Sequence, residues 1–238
     1  MRFLILNHNH PERGTWRRAY PLARLFAERG HDVVFCCVHP ERLYRATRRR
    51  VGVGEGRSFL CYEMPCWSGS QDRQEGRGPL DILRRVWIAA TRRFDVVWAF
   101  SHKLDAVIPA RVARRLRGAT FVSDWCDRWG GDEGLFEHCL RSEAFRRLPP
   151  RVQAARRRAF EREAVLEEHV RRVEADGVTV ISRALHARAL TLGAPPERLL
   201  YLPTGADLEA FPSRDKEACR AELGLPPAVP LLAYVANF

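Results

Sequence analysis

Three places in the 238-residue chain set reactive side chains where chemistry could use them. The densest is Asp124-Trp125-Cys126-Asp127-Arg128-Trp129-Gly130-Gly131. Its carboxylates suit sugar hydroxyls and its indoles suit the apolar face of a pyranose ring. Asp124, Trp125, Asp127 and Trp129 are therefore candidate sugar contacts, with Trp16 beside them as a further aromatic; a capped loop whose tryptophans are core is the competing reading. The second is Gly14-Thr15, between an expected strand end and a helix start, where free backbone N–H groups and the helix dipole favour an anion. An ordinary turn with Thr15 as N-cap fits the same residues. The third is His102, just past an apolar run, at the edge where open α/β sheets hold ligands. A surface histidine beginning a helix is the competing reading.

Metal chemistry finds little support. Asp124 and Asp127 form an Asp-x-x-Asp pair without an evident third ligand, and Glu137, His138 and Cys139 are adjacent instead of spaced as ligands. Seven cysteines occur without C-x-x-C spacing, so neither a disulfide framework nor a zinc ribbon is indicated. No metal and no cofactor are expected.

Apolar runs that alternate with helix-period segments must position these residues, and the pattern predicts a parallel sheet with crossover helices on both faces. Strands are expected at residues 3–7, 32–38, 95–100, 119–123, 177–181 and 199–202. Trp16, Ala19, Tyr20, Ala23, Phe26 and Ala27 give the first helix its inward face, with Gly30 as its stop. Leu80, Leu83, Val86, Trp87 and Ala90 do so for a second, and Leu104 to Leu116 for a third that Gly118 ends. Residues 48–78 read as a loop holding one strand at 58–62. A charged helix follows Pro149-Pro150, and Ser182 caps the helix from Arg183. The expected domains are 1–203 and 204–238, the latter a linker, a short helix and, at residues 231–238, the opening strand of a second sheet.

The formal charge is +11, and of 40 basic residues only Lys103 and Lys216 are not arginine. Runs such as Arg48-Arg49-Arg50 and Arg156-Arg157-Arg158 suit solvated faces or an anionic partner. No nucleic-acid module accompanies them, so nucleic acid is not expected, whereas an anionic membrane surface stays open as a partner. The N-terminal apolar stretch is too short for a signal peptide and no stretch is long enough to span a bilayer, which gives a cytoplasmic expectation, with peripheral attachment to the inner membrane face left open.

Several segments resemble family 4 retaining glycosyltransferases of the GT-B fold. They are Arg13-Gly14-Thr15-Trp16 through Arg29-Gly30-His31-Asp32-Val33, Asp95-Val96-Val97, Asp176 to Ser182, and Pro203-Thr204-Gly205-Ala206-Asp207 with Phe211. The resemblance implies the α/β Rossmann-like first half of that fold, which holds the acceptor, followed by a donor-binding half. It implies transfer of a hexosyl group from a nucleotide sugar to a sugar, lipid-linked or polymer acceptor, without metal, and a first half that is silent alone. Gly14 and Thr15 would face the donor diphosphate. Trp16, Asp124, Trp125, Asp127 and Trp129 would serve the acceptor. His102 would be catalytic, standing in for a His-x-His pair whose positions here hold Trp98 and Phe100. An epimerase or phosphorylase half, or a non-catalytic basic module, are the alternatives.

Overall fold

A computed structural model describes residues 1–67, 78–205 and 212–234. Met1–Thr204 and Gly205–Phe238 form separate compact units. The first is built on an eight-stranded sheet. Its strands are β1 (Arg2–Leu6), β2 (Asp32–Val38), β3 (Thr47–Gly54), β4 (Arg57–Met64), β5 (Val96–Ala99), β6 (Thr120–Trp125), β7 (Gly177–Val180) and β8 (Leu199–Tyr201). They lie in the order β3-β4-β2-β1-β5-β6-β7-β8, and all pairs are parallel except β3 with β4. The chain steps outward from β1 to β2 and later returns to β1's other side with β5. The crevice between those two strand ends is the topological switch point, where sheets of this kind receive ligands.

Two cores fill the two faces. α1 (Trp16–Glu28) buries Ala19, Ala23 and Ala27 against Phe3, Ile5, Phe35 and Phe59. Trp98 and Phe100 lie on this same face, stacked at 5.3 Å, with Trp98 6.0 Å from Phe26. That packing accounts for two aromatics at positions where an imidazole pair was the expectation to compare: they are core. The opposite face carries α2 (Pro79–Thr91), α3 (Leu104–Arg117), α6 (Pro150–His169) and α7 (Arg183–Thr191), packed over Leu4, Leu6, Val97, Phe121 and Val178. The short helices α4 (Leu135–Arg141) and α5 (Glu143–Arg146) precede α6.

Element ends follow local chemistry. Gly118 takes φ of 68° at the end of α3, and Ser182 Oγ accepts from Leu185 N at 3.1 Å to start α7. Two expectations need correction. The described part of the expected loop at 48–78 holds two strands and not one: β3 and β4 form a hairpin, joined near Glu55 and Gly56, both at positive φ, while residues 68–77 lie outside the described residues. The run Arg48-Arg49-Arg50 sits on β3, the sheet's edge, where charge discourages pairing with another chain. The second correction is α2, whose sequence-expected inward face is turned out: Leu80, Leu83 and Trp87 are exposed, while Asp81, Arg85, Ile88 and Ala89 are buried.

In the second unit, α8 (Lys216–Glu222) is capped by Asp215, whose Oδ1 accepts from Ala218 N at 2.8 Å. Residues 231–234 carry no regular structure, and 235–238, with most of the expected opening strand, lie outside the described residues. Ala206, Asp207 and Phe211 lie outside them too.

Candidate functional site

The residues directly after β1 make the switch point polar. Asn7 is fully buried, and His8 and Thr15 nearly so. Asn7 Oδ1 accepts from Asn9 N at 2.8 Å, and Asn9 Oδ1 accepts from Thr15 N at 2.9 Å and from Thr15 Oγ1 at 2.8 Å. Gly14 makes this crossing feasible. Its φ is 49°, and a Cβ there would stand 2.5 Å from Asn9 Oδ1. Thr15 occupies the N-cap position of α1, but its hydroxyl turns to the Asn7–Asn9 segment and caps no helical N–H. The first N–H groups of α1 are also engaged: Trp16 donates to Arg13 O, Arg17 to Gly14 O and Arg18 to Thr15 O. An anion at this helix start must compete with bonds already made. One donor is different: Asn7 Nδ2 is buried and has no hydrogen-bond partner among the described residues.

Across the crevice, α1 is tied to the end of β6. Arg18, on the first turn of α1, donates from Nε and Nη2 to Asp124, at 2.9 Å in each case. Thr179 on β7 donates to the same carboxylate, and Arg18 Nη1 reaches Thr204 Oγ1 at 3.5 Å. Both ionic side chains are buried. Asp124 therefore joins three elements and does not face outward, which corrects its expected place as a sugar contact. A carboxylate clasped by a guanidinium is also a poor cation ligand, so the Asp124/Asp127 pair does not fit a metal.

His102 needs a parallel correction. It is 1% exposed, and its Nε2 lies 3.0 Å from Glu163 Oε1 on α6. Burial pulls its pKa below the usual imidazole range, although the Glu163 bond opposes this. It stands under the helix layer and not on the surface. Trp125 is buried as well, with Nε1 donating to Asp127 O at 2.7 Å and the Arg171 guanidinium 4.4 Å over its ring. Of the residues expected to contact an acceptor, those left accessible are Asp127, which is exposed, and the half-buried Trp129 and Trp16. Trp129 meets the His102 ring edge-on at 6.1 Å and has Lys103 Nζ 5.1 Å over its face. Trp16 stacks on Tyr20 at 4.3 Å.

The Gly130-Gly131 turn after Trp129 is held by α6 and α7. Glu167 Oε2 accepts from Gly130 N at 3.0 Å, and Arg188 Nη2 donates to Gly130 O at 3.0 Å. A Cβ on Gly130 would lie 2.7 Å from Ala164 Cβ. Away from this edge, Cys37, Cys61 and Glu63 bring ligand-type atoms within 4.8 Å of one another. Glu63 is already occupied by Thr47 Oγ1 and Arg49 Nε, and a bond with Cys61 together with burial pushes the Cys37 thiol well up. A thiol held protonated at Cys37 beside an engaged carboxylate is ill suited to a metal.

Asn7, Asn9, Arg18, Thr179 and Glu163 escaped the sequence reading. The visible signal was Asn7-His8-Asn9 immediately after an apolar run, a polar strand end at the position where the first strand of a switch point stops.

Comparison with known proteins adds the family context. Residues 13–205 match the family model described as a glycosyl transferase 4-like domain. A D-inositol 3-phosphate glycosyltransferase from Nocardia farcinica is 44% identical over 66 residues, covering 27% of this chain and 14% of that protein. Among solved structures, sucrose-phosphate synthase from Thermosynechococcus elongatus aligns with a TM-score of 0.62 at 14% identity, over 94% of this chain and 52% of that one. HepE from Anabaena, in complex with UDP and glucose, aligns with a TM-score of 0.55 at 13% identity, over 94% and 50%. The chain thus spans about half the length of these structures. Their likeness is one of fold: the doubly wound half of a GT-B architecture.

Proposed function

The chain belongs to the glycosyl transferase 4-like domain family, and on that premise we propose that it forms the acceptor-binding half of a retaining transferase that moves a hexosyl group from a nucleotide sugar to an acceptor. The observation that carries this reading is the family match across 13–205 on a fold whose switch point is lined by Asn7, Asn9, Gly14 and Thr15. UDP and glucose in the HepE complex support a nucleotide sugar as donor.

The chemistry asked of this half is positional. Retaining transfer rewards groups that hold the reacting atoms in line and hydrogen-bond the departing diphosphate as charge develops. Asn7 Nδ2, a buried amide donor without a partner among the described residues, is a group at the switch point with bonding capacity to spare. The Gly14-Thr15 turn supplies N–H donors once Asn9 releases them. Trp129 offers an apolar ring and Asp127 an exposed carboxylate to the acceptor. His102 acts behind this surface, holding Trp129 from below, and is not itself a contact of the sugar. No metal enters the step.

The test is a transfer assay on the enzyme with its donor half, scored separately for donor and acceptor. Asp127→Ala and Trp129→Ala are expected to raise the KM for acceptor about tenfold or more, with donor KM nearly unchanged. Asn7→Ala is expected to lower kcat with little change in acceptor KM. Equal effects on both substrates from all three changes would refute the division of roles.

A further inference from the structure

Helix α2 buries a charged pair beside Ile88 and Ala89 and leaves its large apolar residues Leu83 and Trp87 outside. Asp81 and Arg85 are fully buried as an i,i+4 pair at 2.5 Å, with Asp105 3.7 Å from Arg85 on the neighbouring α3. The apolar residues that the helical period would send inward are outside instead, with Leu83 63% and Trp87 57% exposed. Leu80, Leu83 and Trp87 follow i, i+3, i+7 spacing and so form one stripe. Beside the stripe, between α2 and the β3–β4 hairpin, runs a groove of about 420 Å3. Tyr44, Arg45, Arg48, Arg84 and Trp87 line it, and no acidic residue does. Tyr44 is 64% exposed, and Trp67 stands 6.3 Å from it. Among the described residues, none of these three arginines forms an ion pair within 4 Å, whereas Arg49, next in sequence, is paired with Glu63.

We propose that this flank docks the protein on the surface of an anionic lipid bilayer, with Leu83, Trp87 and Tyr44 entering the interfacial layer and Arg45, Arg48 and Arg84 meeting the phosphates. The charge complementarity selects the occupant. An aromatic and aliphatic stripe bordered by unpaired guanidinium groups fits hydrocarbon lying next to negative charge, which is how an acidic leaflet is layered. A second copy of the chain is disfavoured because a two-fold contact would set one arginine-lined groove against another. The buried Asp81–Arg85 pair has a part in this: with Ile88 and Ala89 it fixes the inward face of α2 and leaves Leu80, Leu83 and Trp87 for the partner. No helix among the described residues is long and apolar enough to cross a membrane, so contact of this kind would be peripheral. The proposal does not depend on the transferase reading, because docking is measured without any sugar nucleotide.

The experiment is cosedimentation of the full chain with phosphatidylcholine vesicles, with and without phosphatidylglycerol, over rising salt. Binding only to the acidic vesicles, weakening as salt is added, is expected. Arg45→Gln/Arg48→Gln/Arg84→Gln should weaken it roughly 100-fold, at about fivefold per arginine. Leu83→Ser/Trp87→Ser should weaken it at least about tenfold. The decisive control is Arg156→Gln/Arg157→Gln/Arg158→Gln, which removes the same charge from an exposed run on α6 and should change binding less than about threefold. All these positions are exposed, and unchanged circular dichroism and melting would show that each variant is folded. Equal loss in the α6 control, indifference to lipid charge, or no loss in the α2 variants would overturn the proposal. So would a dimer that Leu83→Ser/Trp87→Ser dissolves, or binding to duplex nucleic acid that the α2 variants abolish while vesicle binding persists.

Discussion

At the crevice between β1, β5 and β6, polar side chains are buried and almost all engaged with one another; on the flank formed by α2 and the β3–β4 hairpin, apolar side chains are exposed, and Arg45, Arg48 and Arg84 form no ion pair among the described residues. The first region resembles a core made of polar groups, and the second resembles an interface without its other half. What separates them is partner satisfaction, not residue type. Asp124 and Asp127 are three residues apart, yet one carboxylate is clasped by Arg18 and Thr179 while the other is exposed. A buried and satisfied group positions its neighbours, and an unsatisfied one has capacity for a ligand. On that ground Asn7 Nδ2 at the crevice and Arg45, Arg48 and Arg84 on the flank carry more functional weight than His102 or Asp124.

The comparison can be broken most forcefully at Asp124. Asp124→Ala strands the buried Arg18 guanidinium and should cost about 3–5 kcal/mol in denaturant unfolding. A loss under about 1 kcal/mol would mean that Asp124 does not join α1 to β6. Next comes a pair of changes within α2. Arg85→Met should cost about 3 kcal/mol, blunted because burial already raises the pKa of Asp81 and lets it take up a proton, whereas Leu83→Ser should stay within about 0.5 kcal/mol. The reverse order would restore the sequence-expected face of the helix. Gly14→Ala should cost about 1–3 kcal/mol, since it places a side chain at φ of 49° and against Asn9; calorimetry that finds it neutral would remove the Asn9 crossing.

The smallest effect is in pH. Because the folded pKa of His102 is depressed, the unfolded chain binds the extra proton first. Its contribution to stability is therefore complete above the ordinary histidine value of 6.5 and is lost as pH falls through that value towards the folded pKa. The slope from this one group is at most about 1.4 kcal/mol per pH unit. His102→Gln should flatten the stability profile below pH 6.5 by up to that amount, and an unchanged profile would show that His102 is not held neutral.

Much of the sheet was legible because its signals are local. The unbroken apolar run at β2, the i, i+3, i+4 pattern of α1, Gly118 after α3 and Ser182 before α7 each act within a few residues. β3 was illegible since its arginines suit an edge position, and edge position is decided by pairing with β4. The facing of α2 was misread for a related reason: its apolar period is genuine, but the buried pair of Asp81 and Arg85 with Asp105 on α3 sets the rotation, and period alone does not say which stripe goes inward. At the crevice, Gly14 and the residues around Asp124 were legible as strand-end positions of the sheet. The roles were not, because Arg18 and Asp124 are 106 positions apart and His102 meets Glu163 only across the helix layer.

Our proposal is that this chain supplies the acceptor side of a retaining transferase and works with a donor half for turnover. It is tested most directly by measuring transfer from a nucleotide sugar with residues 1–238 alone and with the same residues joined to a donor domain, reading the anomeric configuration of the product by NMR. The expected result is no transfer by residues 1–238 alone and transfer by the joined protein with the donor's configuration kept. Turnover by residues 1–238 alone, or a product of inverted configuration, would contradict it.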